Sequence, residues 1–390
     1  MAKKRKPAKL IKFNLCDSLF TFQNLYKAYL DCRKRKRNTI NALRFESNLE
    51  NNLWKLLEDL RGCVYKPGVS VCFAVKEPVI REIFAANFRD RVVHHLFVRA
   101  IEPHFEKYFI YDSYACRKGK GTLLAMRRLQ KFIRRAQNIE PRNYNNWHYL
   151  KADILGFFMH INKKILNDLI LQKILTSPFS EKIKEELKWL AGLIIFHNPT
   201  ENYFLKGDKN LLKTVPRQKS LFGVPDGIGL PIGNLTSQFF ANVYLNELDQ
   251  FIKRKLKCEF YGRYVDDFYI IQKDKEKLKE FHGIINRFLK DSLFLELNLK
   301  KCYIQPLVYG VDFVGYFVKF WRIYPRKRIV KKFKNKLWIF KKYRNSIKTS
   351  DIQNSIVSYF GHFIHANSYN FILKIKQKHP WIGNVILGRF

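Results

Sequence analysis

The stretch GRYVDDFYII (262–271) sets two adjacent carboxylates, Asp266 and Asp267, inside an aromatic and aliphatic run. Tyr264 and Val265 precede them, and Phe268, Tyr269, Ile270 and Ile271 follow, which is the composition of a strand pair rather than of a solvated loop. Acidic residues are depleted from strands, and like charges side by side repel. A chain that keeps two acids at a hairpin tip on a greasy sheet must compensate them, and a divalent cation is the natural compensator. A third acid stands in a similar setting. YLKADILGFF (149–158) ends an apolar strand in Asp153 and continues at once into Phe157 and Phe158. If that strand lies beside the hairpin, three carboxylates converge across 266 − 153 = 113 positions of chain. Magnesium prefers such oxygen ligands, shared with substrate phosphates.

Charge says what the partner is. Lys and Arg number 73 against 33 Asp and Glu, a net +40, which self-repels unless a polyanion is the habitual partner. The excess is uneven. After Asp312 the one acidic residue is Asp351, while RIYPRKRIVKKFKNKLWIFKKYR (322–344) carries 11 Lys and Arg interleaved with Tyr324, Phe333, Trp338, Phe340 and Tyr343. Cations with interleaved aromatics suit phosphates and bases. No apolar run approaches the roughly 18 residues that cross a bilayer, so no membrane is expected. Seven scattered cysteines without a C-x-x-C pair argue against a zinc site or a disulfide framework and for a reducing cytoplasm.

With 390 residues, 47 % of them hydrophobic, two or three lobes are expected rather than one core. The spacing of Leu43, Phe45, Leu49, Leu53, Leu56, Leu57 and Leu60 predicts a helix over 41–62 that Gly62 stops. Residues 69–83 alternate around Pro78 as two strands, and 88–105 return to helical period. A glycine-punctuated basic loop (111–122) leads into a helix over 123–136 with Leu129 and Ile133 inward. Residues 163–205 read as mainly helical, 222–234 as a loop rich in Gly and Pro, 235–256 and 275–290 as helices, and 301–309 and 312–320 as strands. The class is α+β, an antiparallel sheet backed by helices.

The blocks YVDD, LKADILGFF and GLPIGNLTSQFFANVYLN (229–246), with LKADILGFF upstream and the last lying between the two, resemble the reverse transcriptase palm. PIGN followed by TSQ, together with SYACRKGKGT (113–122) and SYFGHFIHANSYNF (358–371), is similar to the reverse transcriptases of diversity-generating retroelements, relatives of the group II intron enzymes. The resemblance covers about residues 70 to 375. It implies a right-hand polymerase: a basic extension (1–37), fingers (38–149), palm (150–320, with 165–222 a partly helical insertion) and a basic helical thumb (321–390). It implies a triad of Asp153, Asp266 and Asp267 holding two Mg2+ ions, with the Ile154 carbonyl a further ligand.

By position, the resemblance puts Lys76 and Arg81 on the nucleotide triphosphate and Phe157 or Phe158, Phe157 first, under its sugar. Gln238 falls near the nucleotide. Arg117, Lys118, Gly119 and Gly121 would hold the template, and Lys300 or Lys301 and Gly315 the primer side. Ile232 stands where most relatives carry Gln against the base pair, which leaves shape alone to judge the pair and implies adenine-biased errors. The implied partners are template RNA, the RNA/cDNA duplex, dNTPs and a small basic accessory protein, in a bacterial or phage-encoded cytoplasmic setting. Alternatives are a group II intron-type or defence-associated reverse transcriptase, and a catalytically silent RNA-binding scaffold.

Overall fold

The computed structural model describes residues 18–385 apart from 35, 78 and 143. Most of the expected basic extension, with its KKRK cluster at 3–6, and Pro78 itself fall outside the described residues. Ten strands occur among those described: β1 (Ser70–Val75), β2 (Arg81–Ala85), β3 (His148–Asp153), β4 (Tyr203–Leu205), β5 (Phe260–Tyr264), β6 (Asp267–Gln272), β7 (Tyr303–Pro306), β8 (Val311–Phe313), β9 (Tyr316–Val318) and β10 (Ile323–Pro325). The chain divides into two compact units of three segments each. The first takes its described residues from Met1–Ile110, Ile154–Phe251 and Ile285–Leu297, and the second from Tyr111–Asp153, Ile252–Ile284 and Asn298–Phe390.

The first unit is mostly helical around a small sheet of order β2–β1–β4. β1 and β2 form the expected antiparallel pair, closed by Val75 opposite Arg81. The single helix expected over 41–62 is two, Ile40–Glu46 and Leu49–Arg61. Asn48 leaves helical geometry at φ −139° and ψ 55°, and the Asn52 amide donates to the Phe45 carbonyl at 2.9 Å, taking up an acceptor that the break exposes. Gly62 does cap the second helix. Between 163 and 205 two helices form, Lys163–Leu175 and Glu181–Phe196, each opened by a side chain accepting from first-turn amides, Asn162 and Ser180. The segment then ends in β4, which pairs parallel with β1 instead of continuing as helix.

The second unit is built on the sheet β5–β6–β3–β7. β3 pairs antiparallel with β6, so that Asp153 faces Asp267, Lys151 faces Tyr269 and Tyr149 faces Ile271. These pairs share one face by the two-residue period of strands. At one end that face is apolar, with Tyr149, Tyr269 and Ile271 packed against Leu129 and Ile133 of the helix Thr122–Ile139, the two inward residues expected from its sequence. At the other end it terminates in acids. Gly262 makes the hairpin possible, because a Cβ there would lie 2.6 Å from the Tyr269 hydroxyl that crosses it. The strands β8, β9 and β10 form a second sheet. The helices Lys327–Lys342, Thr349–Phe363 and Tyr369–Lys378 pack around their own core of Phe333, Leu337, Ile356, Phe360 and Phe363. The architecture is the expected α+β.

Candidate active site

The acids meet because β3 ends and the β5–β6 hairpin turns at the same level of the sheet. Tyr264 pairs with Asp267, which leaves Val265 and Asp266 as a two-residue turn. Val265 sits at φ 58°, a left-handed conformation that a β-branched residue adopts only when its surroundings enforce it. The enforcing group is Arg263, fully buried, whose Nη1 donates to the Val265 carbonyl at 2.9 Å and Nη2 to Ser113 Oγ at 3.1 Å. The backbone around Ser113 runs alongside β5. Arg263 N donates to the Asp112 carbonyl and Tyr114 N to the Arg263 carbonyl, both at 3.0 Å. Asp112, itself buried, accepts from Arg128 Nε at 2.8 Å and Nη2 at 3.0 Å, and from the Tyr114 hydroxyl at 2.8 Å. A chain of satisfied buried charges thus anchors the turn that carries Asp266.

The acids are only partly compensated. Lys151 Nζ donates to Asp267 Oδ1, and Lys301 Nζ to Asp153 Oδ1 at 2.9 Å. Asn298 holds the end of β3 through its backbone N–H on the Asp153 carbonyl at 2.8 Å. The Asp266 carboxyl is pushed up to about 6, first by its own burial and then by the Asp153 carboxylate, with Asp267 adding. Asp267 is also raised by burial, with Lys151 pulling it back. Among the described residues no three His, Cys, Asp or Glu side chains are gathered into a ready-made metal cage. The ammonium groups hold two of the three acids instead. The donor set is all oxygen and anionic, three carboxylates met by two ammonium groups, so it suits a hard divalent cation.

The other site residues fall as follows. In the second unit, Arg117 and Lys118 lie on the loop before Thr122–Ile139, where Arg117 Nη1 donates to the Ser113 carbonyl at 2.8 Å. Gly119 and Gly121 have φ 72° and 116°, with open space where a Cβ would be. Lys300 and Lys301 are exposed on a short 3-10 turn. Gly315 (φ 89°) forms the β8–β9 turn, and its carbonyl accepts the Arg326 N–H at 3.0 Å. In the first unit, Lys76 and Arg81 are exposed at the end of β1–β2 where Val75 pairs with Arg81 and the chain turns back. Ile154 is buried and bridges to Leu297.

Phe157 is 2 % exposed, whereas Phe158 is half-buried and packs in one cluster with Ile232, Phe84 and Met159. The Ile232 carbonyl accepts the Phe84 N–H at 2.9 Å, and a Cβ on Gly233 would lie 2.7 Å from Ile83, so glycine is needed for that approach. Gln238 is exposed on the helix Leu235–Gln250, while Thr236 and Ser237 are buried. The N-cap of that helix is Asn234, whose side chain accepts the distant Ala86 N–H at 3.0 Å rather than a first-turn amide. Sequence reading missed Lys151, Arg263 and Asn298. The signal for Lys151 was its place two residues before Asp153, on the same face of a strand.

Residues 76–318 match the family described as reverse transcriptase (RNA-dependent DNA polymerase). The chain is 21 % identical over 308 residues to the putative COX1/OXI3 intron 2 protein of Saccharomyces cerevisiae, covering 64 % of this chain and 32 % of the yeast protein. It is 21 % identical over 311 residues to protein YkfC of Escherichia coli, covering 71 % of this chain and 74 % of that protein. Among solved structures it is similar to apo telomerase from Candida tropicalis truncated from its C-terminal domain, with TM-score 0.46 and 13 % identity, over 66 % of this chain and 55 % of that one. The chain therefore spans about a third of the length of the yeast relative.

Proposed function

Because the chain belongs to the reverse transcriptase (RNA-dependent DNA polymerase) family, with its right-hand polymerase fold, we propose that it extends a primer along an RNA template from dNTPs. The observation that carries the reading is the pairing of Asp153 with Asp267, with Asp266 in the adjoining turn, on a sheet whose opposite end is apolar core. Enzymes of this family work with divalent metal ions. In this reading Asp153, Asp266 and Asp267, with the Ile154 carbonyl, hold two Mg2+ ions, which when bound activate the primer 3′-hydroxyl and stabilise the departing pyrophosphate.

The chain's own residues do the rest. Arg263 holds the Asp266 turn in its strained conformation, so the carboxylate needs no reorganisation. Lys76 and Arg81 neutralise the triphosphate, exposed where a charged ligand can reach them. Phe158 is the better choice than Phe157 for the residue under the sugar, because a side chain 2 % exposed has no surface left to offer. Arg117, Lys118, Gly119 and Gly121 hold the template, Gln238 lies near the nucleotide, and Lys300, Lys301, Gly315 and the thumb (321–390) hold the duplex. Six free cysteines among the described residues fit a reducing cytoplasm.

At finer grain we assign the chain to the diversity-generating retroelements, working with a small basic accessory protein, on its PIGN and TSQ blocks and on Ile232. In that role it writes adenine-biased errors into cDNA for mutagenic retrohoming. The second reading is a group II intron-type enzyme, favoured by the likeness to an intron protein.

One experiment addresses both levels: primer extension on a defined RNA, with the cDNA sequenced, by wild type, Asp266→Asn and Ile232→Gln. The expected result is dNTP-dependent extension that falls about a thousandfold or more in Asp266→Asn while RNA affinity is kept. Misincorporation opposite adenine should fall in Ile232→Gln. Unchanged extension by Asp266→Asn defeats the polymerase reading. Accurate copying of adenine by wild type defeats the retroelement assignment alone.

A further inference from the structure

Lys151 is the one charge of the carboxylate cluster that the polymerase reading leaves without a task. Its side chain is 10 % exposed, between its cross-strand partners Tyr269 and Tyr303, with Nζ 5.3 Å from the centre of the Phe313 ring. It shares a face with Asp153 and donates to Asp267 on the neighbouring strand. Lys301, the second ammonium, belongs to an exposed turn, and its side chain is 61 % exposed. Lys301 can swing from Asp153 into water at little cost. Lys151 has a fixed strand beneath it and rings around it, and leaving Asp267 would strand both charges in a half-dry site.

We propose that Lys151 is a resident counter-ion of the site, a positioning residue that stays on Asp267 when divalent ions bind, while Lys301 departs. This rests on the reading that Asp153, Asp266 and Asp267 hold the metal. Lys151 reduces the charge that the ions meet and so weakens their binding, and in exchange it fixes the orientation of Asp267. The bland alternative is an ion pair that only braces β3 against β6.

The two roles predict opposite signs. If Lys151 is only a brace, its removal loosens the strands and metal binds more weakly. If it is a resident counter-ion, its removal takes a positive charge from beside the ions and frees a carboxylate, so metal binds more tightly.

The test is Mn2+ binding to the full chain, followed by electron paramagnetic resonance without nucleic acid or nucleotide, in wild type, Lys151→Met, Lys151→Gln, Lys151→Arg and Lys301→Ala. Lys151→Met and Lys151→Gln should lower the Kd for Mn2+ about tenfold, as expected for one charge removed at close range. Lys151→Arg should restore the wild-type Kd, and Lys301→Ala should change it less than about threefold because water screens that exposed group. Lys151→Gln keeps a donor for Asp267 and serves if Lys151→Met fails to fold. An unchanged or higher Kd in the folded neutral variant overturns the role given to Lys151. A wild-type chain that binds no Mn2+ overturns the metal reading beneath it instead.

Discussion

In the sheet β5–β6–β3–β7 charged side chains are buried or half-buried and answered one by one, whereas the sheet β2–β1–β4 carries just two, Arg81 in water and Glu82 buried. Arg263, Asp112 and Lys151 each lie inside the second unit with a named partner. Lys76 and Arg81, at the turning end of β1–β2, are exposed. The exception there is Glu82, 3 % exposed, which accepts from Ser220 Oγ at 2.6 Å and from the Leu221 N–H at 2.8 Å. The contrast separates two uses of charge. Buried pairs contribute little net stability yet cannot be broken cheaply, so they hold geometry. Exposed cations hold nothing in place and remain available to a ligand.

The contrast breaks most visibly at Arg128. Arg128→Met leaves Asp112 buried with the Tyr114 hydroxyl as its remaining side-chain donor, and should cost about 3–5 kcal/mol in urea unfolding. A loss below about 1 kcal/mol would mean that water reaches Asp112, and that the two sheets handle charge alike. A smaller effect is expected at the exposed end. Lys76→Ala or Arg81→Ala should leave unfolding within about 0.5 kcal/mol of wild type while raising KM for dNTP roughly tenfold, as read in steady-state extension. A melting change with no KM change would make these residues structural after all.

The smallest effect belongs to Glu82. Burial raises its pKa, with Ser220 and Leu221 opposing. The folded chain therefore holds that proton more tightly than the unfolded chain, so stability falls as pH rises from the ordinary glutamate range through the raised value. Glu82→Gln should flatten that part of the pH–stability curve, measured by denaturant unfolding from mildly acid to neutral pH. An unaltered slope would transfer the effect to another buried acid, with Asp90, also raised by burial, the first to examine.

What could be read from the sequence, and what could not, follows the range of the interactions concerned. The hairpin of Asp266 and Asp267 was visible because strand periodicity and composition are local, and so were the helices Phe88–Phe105 and Thr122–Ile139. The break at Asn48 was hidden because apolar spacing continues through it from Leu43 to Leu60. Three residues of β4 in a helical stretch give no signal of their own. They become a strand only through β1, more than a hundred positions earlier. Asn234 is taken from ordinary capping by Ala86, 148 residues away. Lys151 and Arg263 escaped notice because in a chain with 73 basic residues no single cation stands out until its burial is known.

The threading of the chain has a consequence for synthesis. Each unit draws on three separated segments, and β3 must wait for β6, whose first residue Asp267 follows Asp153 by 267 − 153 = 114 positions. At ribosomal rates of roughly 5–20 residues per second, the nascent β3 remains without its neighbours for several seconds or more. The acids therefore come together only after β6 has been made, and until then the centre they form is unassembled.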